Sequence, residues 1–237
     1  GVLMVHSAFK GLAREGWHAE ATLAALMAHM APGTLSLPTM SWRFVKPAQP
    51  VFDAGATPSN TGFLTELFRR EHASHRSSHP THSAAAVGSL AAWLTDGHHL
   101  DDTPCSGRSP FGRLAEADGW VLLLGISMDC CTLIHHAEEV VAPGLYLRPP
   151  DQAESYTCRA MDGAEYRVRL RRHLFLRRDY WQFQDGLAAA GALRVGLLDG
   201  IPWRLFRARA LTELALAALR RQPDVILARP AGRYRLM

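Results

Sequence analysis

Short apolar runs alternate along the chain with longer amphipathic segments. The apolar runs have the length and composition of strands buried on both faces of a sheet, and they lie at 2–5, 34–38, 121–125 and 193–198. Segments with helical spacing and good helix formers lie between and after these runs, at 19–30, 62–70, 90–94, 132–141 and 208–221. The alternation predicts an α/β fold, a layered α/β/α domain with a central mixed sheet.

The segments outside this pattern predict loops and a β-rich C-terminal part. Two stretches rich in Pro, Gly, Asp and Ser, at 47–59 and 97–110, indicate long loops, which in a compact domain are often functional. A turn-rich joint at 143–151 leads to 166–171, where basic and apolar residues alternate as in a strand with one face in solvent. We expect one domain over 1–237. The chain begins on a predicted strand without an initiator Met, so we also expect that a short N-terminal segment is missing.

Composition and charge narrow the class of protein. The net charge of +4 invites a nucleic-acid interpretation, but the arginines concentrate in the C-terminal third with few interleaved aromatic residues, so we predict no nucleic-acid partner. No apolar run approaches the roughly 20 residues that span a bilayer, so no membrane partner is predicted. The four cysteines lack the spacing of a disulfide framework or a metal site, which favours a reducing, cytoplasmic location.

The chemistry that the sequence offers is a base with a carboxylate partner. His82 lies in the segment Ser78-His79-Pro80-Thr81-His82-Ser83, and Glu138 follows in a predicted helix that also contains His135. Histidine takes a proton near neutral pH, and a carboxylate on one ring nitrogen fixes the tautomer. Because Pro80 disfavours helix before it, the segment is predicted to be extended, with Glu138 reaching across to His82. We therefore predict His82 and Glu138 as the catalytic residues.

A series of motifs in a fixed order carries a more specific signal. They are Val5-His6-Ser7, Leu37-Pro38-Thr39, Pro50-Val51-Phe52-Asp53, Thr57-Pro58-Ser59, His79-Pro80-Thr81-His82-Ser83, Asp102-Thr103-Pro104-Cys105, Ser109-Pro110, Leu122-Leu123-Leu124-Gly125, and His135 with Ala137-Glu138. In this order and spacing the chain resembles the aminoglycoside 3-N-acetyltransferase family. The resemblance is strong over about the first 145 residues and looser beyond them.

The resemblance implies an enzyme that transfers the acetyl group of acetyl-CoA to the 3-amino group of 2-deoxystreptamine aminoglycosides, and so confers antibiotic resistance. It implies direct transfer with His82 as general base, acetyl-CoA as co-substrate, no metal, and a monomer or homodimer. The residues implied for acetyl-CoA binding are His6, Ser7, Lys10, Thr39, His79, Thr81 and Ser83. Those implied for the aminoglycoside are Asp53, Asp102, Thr103, Cys105, Asp129, His135 and Glu139.

Two other functions stay open at this point. The first is acetylation of a different small-molecule amine, because the chain departs from the family pattern at Ala8, Ser106, Ser127 and Cys131. A thiol at 131 in place of an amide weakens both the donor and the acceptor there, which predicts an altered substrate preference. The second is a zinc-dependent hydrolase, since four histidines follow each other at intervals of three or four residues, at 72, 75, 79 and 82.

Overall fold

A computed structural model of the protein describes residues 1–228, and its centre is a seven-stranded mixed sheet. The strands of the chain are β1 Val2–Ser7, β2 Thr34–Pro38, β3 Val51–Asp53, β4 His75–Arg76, β5 Ala84–Gly88, β6 Trp120–Leu124, β7 Glu154–Arg159, β8 Glu165–Leu170, β9 Leu193–Leu198 and β10 Ile201–Arg207. Their order in the central sheet is β4-β5-β2-β1-β6-β10-β9. The inner strands β2, β1 and β6 are parallel, and antiparallel strands flank them on both sides.

Helices cover both faces of this sheet. They are α1 Phe9–Arg14, α2 Ala19–Met30, α3 Phe63–Glu71, α4 Ala91–Thr95, α5 Pro110–Glu116, α6 Leu133–Val141, α7 Pro143–Tyr146, α8 Trp181–Ala189 and α9 Ala208–Arg221. Alternate residues of β1 enter different cores: Val2 and Met4 pack with α4, α5, α6, α8 and α9, whereas Leu3 and Val5 pack with α1, α2 and α3. The sheet is thus the middle layer of three, which confirms the predicted layered α/β architecture.

A second, three-stranded sheet forms from β3, β7 and β8. It has a small core of its own around Phe52, Tyr156 and Val168. Its strands β7 and β8, together with β9 and β10, make the C-terminal part rich in strands, as predicted. In β8 the basic side chains of Arg167 and Arg169 are exposed while Val168 is buried, so the alternation of the sequence does mark a half-solvated strand.

The predicted strands and helices begin and end within two residues of the bounds that periodicity gave, but the segment before β5 differs from its prediction. Residues 80–82 form a turn instead of an extended run. The Nδ1 atom of His79 accepts hydrogen bonds from the backbone N–H groups of Thr81 (3.2 Å) and His82 (2.8 Å), which closes the turn. The strand alternation predicted for Pro80 and His82 is therefore wrong. The backbone N–H groups of Thr81 and His82 donate to the His79 side chain and not to a neighbouring strand.

The buried guanidinium of Arg76 anchors the long loop after β3. It donates to the carbonyl oxygens of Ala54 (3.0 Å), Thr57 (2.6 Å) and Thr39 (2.8 Å). Burial, followed by the nearby charge of Arg69, lowers the pKa of Arg76 to about 9. Arg76 therefore has a structural role in holding the loop against β2. A separate cavity of ≈500 Å³ lies beside it.

None of the helices within residues 1–228 combines the length and the apolar character needed to cross a membrane.

Candidate active site

A cavity of ≈330 Å³ opens where the three parallel strands end. His6 and Ser7 come from the end of β1, Pro38 from the end of β2, and Ile126 follows β6. Ligands of open α/β sheets bind outside the carboxyl ends of the strands. The remaining lining residues are Met40, Trp42, Thr61, Thr65, Asp129, Cys130, Cys131, Thr132 and His135. The cavity is thus bounded by the sheet edge, the loops after β2 and β3, and the start of α6.

The end of β1 presents polar atoms that have no hydrogen-bond partner in the described part of the chain. Within the described residues, the Nε2 atom of His6 and the Oγ atom of Ser7 have no hydrogen-bond partner. Burial lowers the pKa of His6 to about 4, opposed by a backbone hydrogen bond at Cys130, so its imidazole is neutral near pH 7. These two atoms therefore remain available to hydrogen-bond a ligand.

His135 faces the same cavity and is bonded to Glu138. The Nδ1 atom of His135 lies 2.9 Å from Oε2 of Glu138, one helical turn along α6. The i, i+3 spacing places both side chains on one face of the helix, as predicted. His135 is partly exposed, whereas Glu138 is fully buried. The pair therefore has a histidine at the cavity and a carboxylate behind it.

Two residues far along the chain hold the Glu138 carboxylate. Arg178 donates from Nε to Oε1 (2.8 Å) and from Nη2 to Oε2 (3.0 Å), and the Tyr180 hydroxyl donates to Oε1 (2.7 Å). Burial alone would raise the pKa of Glu138, but the charges and hydrogen bonds of His135 and Arg178 outweigh it and lower the pKa to about 2. Glu138 is therefore an ionised group with a fixed orientation.

The predicted contact between Glu138 and His82 is wrong. The His82 Nδ1 atom pairs with the Thr81 hydroxyl (2.8 Å), and both Glu138 oxygens are taken by the donors described above. The turn at 80–82 sets this orientation, which strand alternation could not anticipate. Burial and the nearby charge of His135 hold the pKa of His82 well below its usual value. His135 instead takes the place beside the carboxylate that His82 was predicted to hold.

The other residues implied for acetyl-CoA binding divide into two groups. His6 and Ser7 line the cavity, and Lys10 lies exposed on α1. Thr39, His79, Thr81 and Ser83 are fully buried. Within this second group the Thr39 and Ser83 hydroxyls both accept from Nε of Arg76 at 3.1 Å, so they stabilise the buried guanidinium. Their predicted contact with a ligand finds no support in this geometry.

The residues implied for the aminoglycoside are likewise only partly assembled. Of the carboxylates, Asp129 alone lines the cavity among the described residues. Asp53 caps a turn in the small sheet by accepting from Gly55 and Ala56, and Asp102 is exposed on a loop. Thr103, Cys105 and Glu139 are buried and do not line the cavity, and the Cys105 N–H donates to Glu139 at 2.8 Å. Burial raises the pKa of Glu139 to about 8, opposed by the nearby Thr103 hydroxyl and by the Cys105 N–H.

The histidines that suggested a zinc hydrolase do not converge. His72 pairs with Glu20 of α2 on the surface, and His75 pairs with Ser74. His79 is buried and stacks on His98, with ring centroids 4.2 Å apart. The four histidines therefore belong to different parts of the fold, between the end of α3 and the turn after β4. The hydrolase alternative is not supported.

Sequence reasoning missed three residues of the site, namely Arg178, Tyr180 and His173. Arg178 and Tyr180 lie 40 and 42 residues from Glu138, in a segment without a motif. The His173 ring stacks on His135 with centroids 4.3 Å apart. The sequence of this segment differs from an ordinary loop only in its basic composition. Basic composition by itself indicates a solvent-exposed surface and not an active site.

Comparison with known proteins identifies the family. A sequence profile described as aminoglycoside 3-N-acetyltransferase matches residues 4–220. The chain belongs to this family. Aminoglycoside N(3)-acetyltransferase IV from Salmonella sp is 31% identical over 243 positions, which cover 100% of this chain and 87% of that protein. A shorter match, to aminoglycoside N(3)-acetyltransferase VII from Streptomyces paromomycinus, is 41% identical but spans only 37% of that protein.

Solved structures agree with this assignment to the acetyltransferase family. A mutant of aminoglycoside acetyltransferase AAC(3)-IVa in complex with a gentamicin has a TM-score of 0.79 and 29% identity, covering 97% of this chain and 85% of that one. AAC-IIIb in a binary complex with CoASH has a TM-score of 0.76 and 25% identity, covering 93% and 90%. The family resemblance and the enzyme class predicted from the motifs are thereby confirmed.

The hydrogen bond from Tyr180 to Glu138 makes a testable contribution to stability. Tyr180→Phe is expected to lower the free energy of unfolding by about 1–3 kcal/mol, because it removes one donor from a buried charged group. Urea denaturation measures the change. Tyr166→Phe, in a partly exposed tyrosine of the small sheet, is the matched control. Equal stability of the two variants would show that this hydrogen bond contributes nothing.

Proposed function

We propose that the protein transfers the acetyl group of acetyl-CoA to the 3-amino group of a 2-deoxystreptamine aminoglycoside, with His135 as general base. The observation that carries this proposal is the His135–Glu138 pair at a cavity on the carboxyl edge of the parallel strands. Family membership supplies the reaction class. Relatives of similar fold bind CoASH in one case and a gentamicin in another, which supports the same two ligands here.

The geometry supports His135 as the base in preference to His82. The ionised Glu138 carboxylate can only accept a hydrogen bond, so the His135 ring carries its proton on Nδ1 and donates it to Oε2 of Glu138. Nε2 then carries the free lone pair on a side chain that lines the cavity. When the ring gains a second proton, the neighbouring carboxylate stabilises the positive charge. Glu138 itself stays ionised because of its depressed pKa.

Direct transfer follows from these roles. The acceptor nitrogen attacks the thioester carbonyl of acetyl-CoA, and His135 removes a proton from that nitrogen. The resulting intermediate expels the CoA sulfur, which receives the proton from the imidazolium and leaves as the thiol. The products are the amide and free CoA, and the base regains its starting form. Holding both reactants together makes this step effectively unimolecular, and a positioned base contributes about 10²- to 10⁴-fold.

Asp129 is the acidic group that the cavity offers to a cationic acceptor. Its carboxylate is exposed at the rim and accepts from the Ser127 hydroxyl at 3.2 Å. Asp129→Asn is expected to raise KM for an aminoglycoside several-fold while KM for acetyl-CoA stays constant, because exposed charge pairs contribute about 1 kcal/mol or less. Steady-state kinetics in both substrates test this. A common rise in both KM values would contradict a role limited to the acceptor.

Binding of the co-substrate has its own test. Acetyl-CoA and CoA are expected to raise the melting temperature, since a ligand at 100 times its Kd stabilises the folded state by about 2.7 kcal/mol. NAD and ATP are expected to do less. Differential scanning fluorimetry at matched ligand concentrations measures the shifts. Equal stabilisation by ATP would indicate a general phosphate site, and no shift with acetyl-CoA would refute the co-substrate.

A different small-molecule amine is the second function that specific residues favour. Ser127 and Cys131 depart from the family pattern, and Cys131 lies in the cavity wall beside Thr132. A thiol there is a poorer hydrogen-bond partner than an amide. Release of CoA thiol should be measured with acetyl-CoA and a panel of aminoglycosides and simpler amines. Turnover with aminoglycosides supports the proposal, whereas turnover confined to other amines keeps the acetyltransferase and rejects the resistance role.

A further inference from the structure

Three metal-ligating side chains converge in the interior behind the cavity. The Cys105 thiol, a carboxylate oxygen of Glu139 and a ring nitrogen of His173 all lie within 4.8 Å of one another. Cys105 is fully buried, and only 3% of the Glu139 and 10% of the His173 side chain is exposed. They come from the loop before α5, from α6 and from the segment after β8. Tertiary structure, and no local motif, therefore brings these three groups together.

Several polar atoms of this cluster have no hydrogen bond within residues 1–228. Among the described residues, Oε2 of Glu139 and both ring nitrogens of His173 have no hydrogen bond. The Nε2 atom of His173 lies 2.8 Å from Oε1 of Glu139, yet the contact lacks hydrogen-bond geometry. Oε1 accepts instead from the Cys105 N–H. Buried polar groups in proteins are normally hydrogen-bonded or bound to a metal, so these atoms indicate a bound ligand.

We propose that Cys105, Glu139 and His173 bind one divalent transition-metal ion, with zinc the best match. In a tetrahedral zinc site the ligands lie about 2.0–2.3 Å from the ion and about 3.3–3.8 Å from one another, so shifts of up to about 1 Å bring the observed cluster to this geometry. A thiolate, an imidazole and a carboxylate form a zinc-type donor set, whereas calcium and magnesium require oxygen ligands. On binding, the thiol releases its proton to solvent.

A second group of potential ligands shares His173 but is less suitable. It consists of His135, Glu138 and His173. The Glu138 oxygens already accept from His135, Arg178 and Tyr180, whereas Glu139 keeps a free oxygen. The ion therefore belongs to the Glu139 group. There it links α6 to the segment after β8 and fixes the His173 ring that stacks on His135. Metal binding at this site does not require the proposed acetyl transfer to be correct.

Metal titration of the full chain tests the site. Chelator-treated protein is titrated with Zn²⁺ against a chromophoric competitor, and bound zinc is counted by elemental analysis. We expect one tight equivalent, and at least tenfold weaker binding in Cys105→Ser, Glu139→Gln and His173→Gln. Cys130→Ser removes an exposed thiol at the cavity and is the matched control, expected to bind zinc as wild type does. Circular dichroism confirms that each variant is folded.

Two further results make the test decisive even if a variant fails to fold. Co²⁺ bound to the wild-type protein is expected to show a thiolate-to-cobalt charge-transfer absorption, and zinc is expected to raise the melting temperature. The absence of a tight equivalent overturns the proposal. Stoichiometric cobalt without the thiolate absorption also overturns it, as does tight binding that is lost in Cys130→Ser but kept in Glu139→Gln.

Discussion

His135→Ala is expected to lower kcat about 10²- to 10⁴-fold, with little change in the affinity for acetyl-CoA, because the lost interaction forms in the transition state. His135 lines the cavity and carries the hydrogen bond to Glu138, so no other group among the described residues provides a base fixed in the same place. Steady-state kinetics give kcat, and thermal shift with CoA confirms that the co-substrate still binds.

Two histidines beside the site serve as controls for this prediction. His82→Ala is expected to reduce kcat far less, since the His82 ring pairs with Thr81. His136→Ala tests the adjacent helix position, whose Nδ1 atom pairs with the Cys105 carbonyl at 2.7 Å. Near-normal turnover in His135→Ala, together with a large loss in His82→Ala, would restore the assignment made from the sequence and reject the one made from the geometry.

Arg76→Met is expected to lower the free energy of unfolding by about 3 kcal/mol or more. The change leaves the carbonyls of Ala54 and Thr57 without a donor, whereas Thr39 keeps the Ser83 hydroxyl, and each unsatisfied buried group costs roughly 1–3 kcal/mol. Methionine preserves much of the apolar stem, but it also removes the guanidinium carbon that lies 4.8 Å from the Phe52 ring centroid. Urea denaturation of the folded protein measures the loss.

The control for Arg76 is an exposed arginine nearby. Arg70→Met removes a charge that pairs with Glu71 at 3.5 Å in solvent, and we expect a change within about 0.5 kcal/mol. If both variants were equally stable, the buried guanidinium would have no structural role. Loss of stability in Arg70→Met alone would likewise contradict the account of the loop after β3.

The layered fold was predictable because each central element carries its own periodicity. The strand Thr34–Pro38 and the helices Ala19–Met30 and Ala208–Arg221 have the predicted bounds, since apolar runs and helical spacing are properties of neighbouring residues. The cavity was partly predictable as well. Parallel strands end at one edge of the sheet, and β1 ends there with the polar residues His6 and Ser7. The i, i+3 contact of His135 with Glu138 follows from helix geometry.

The orientation of His82 was not predictable from the local sequence pattern. Pro80 indicated an extended segment, but the His79 ring accepts two backbone N–H groups and closes a turn. No local rule reports such a side-chain acceptor in advance. The contacts of Glu138 with Arg178 and Tyr180 depend on how the segment after β8 returns to α6, and this is decided by tertiary packing. Arg76 similarly offered no sign that it would be buried among carbonyls.

Determination of the acetylation site is the most direct measurement of the proposed function. Gentamicin is incubated with acetyl-CoA and the protein, the added mass is measured, and NMR locates the new acetyl group. We expect one acetyl group on the 3-amino nitrogen of the 2-deoxystreptamine ring, formed by the wild-type protein and almost absent with His135→Ala. An acetyl group on another amine, or an unmodified antibiotic despite turnover of acetyl-CoA with other amines, would contradict it.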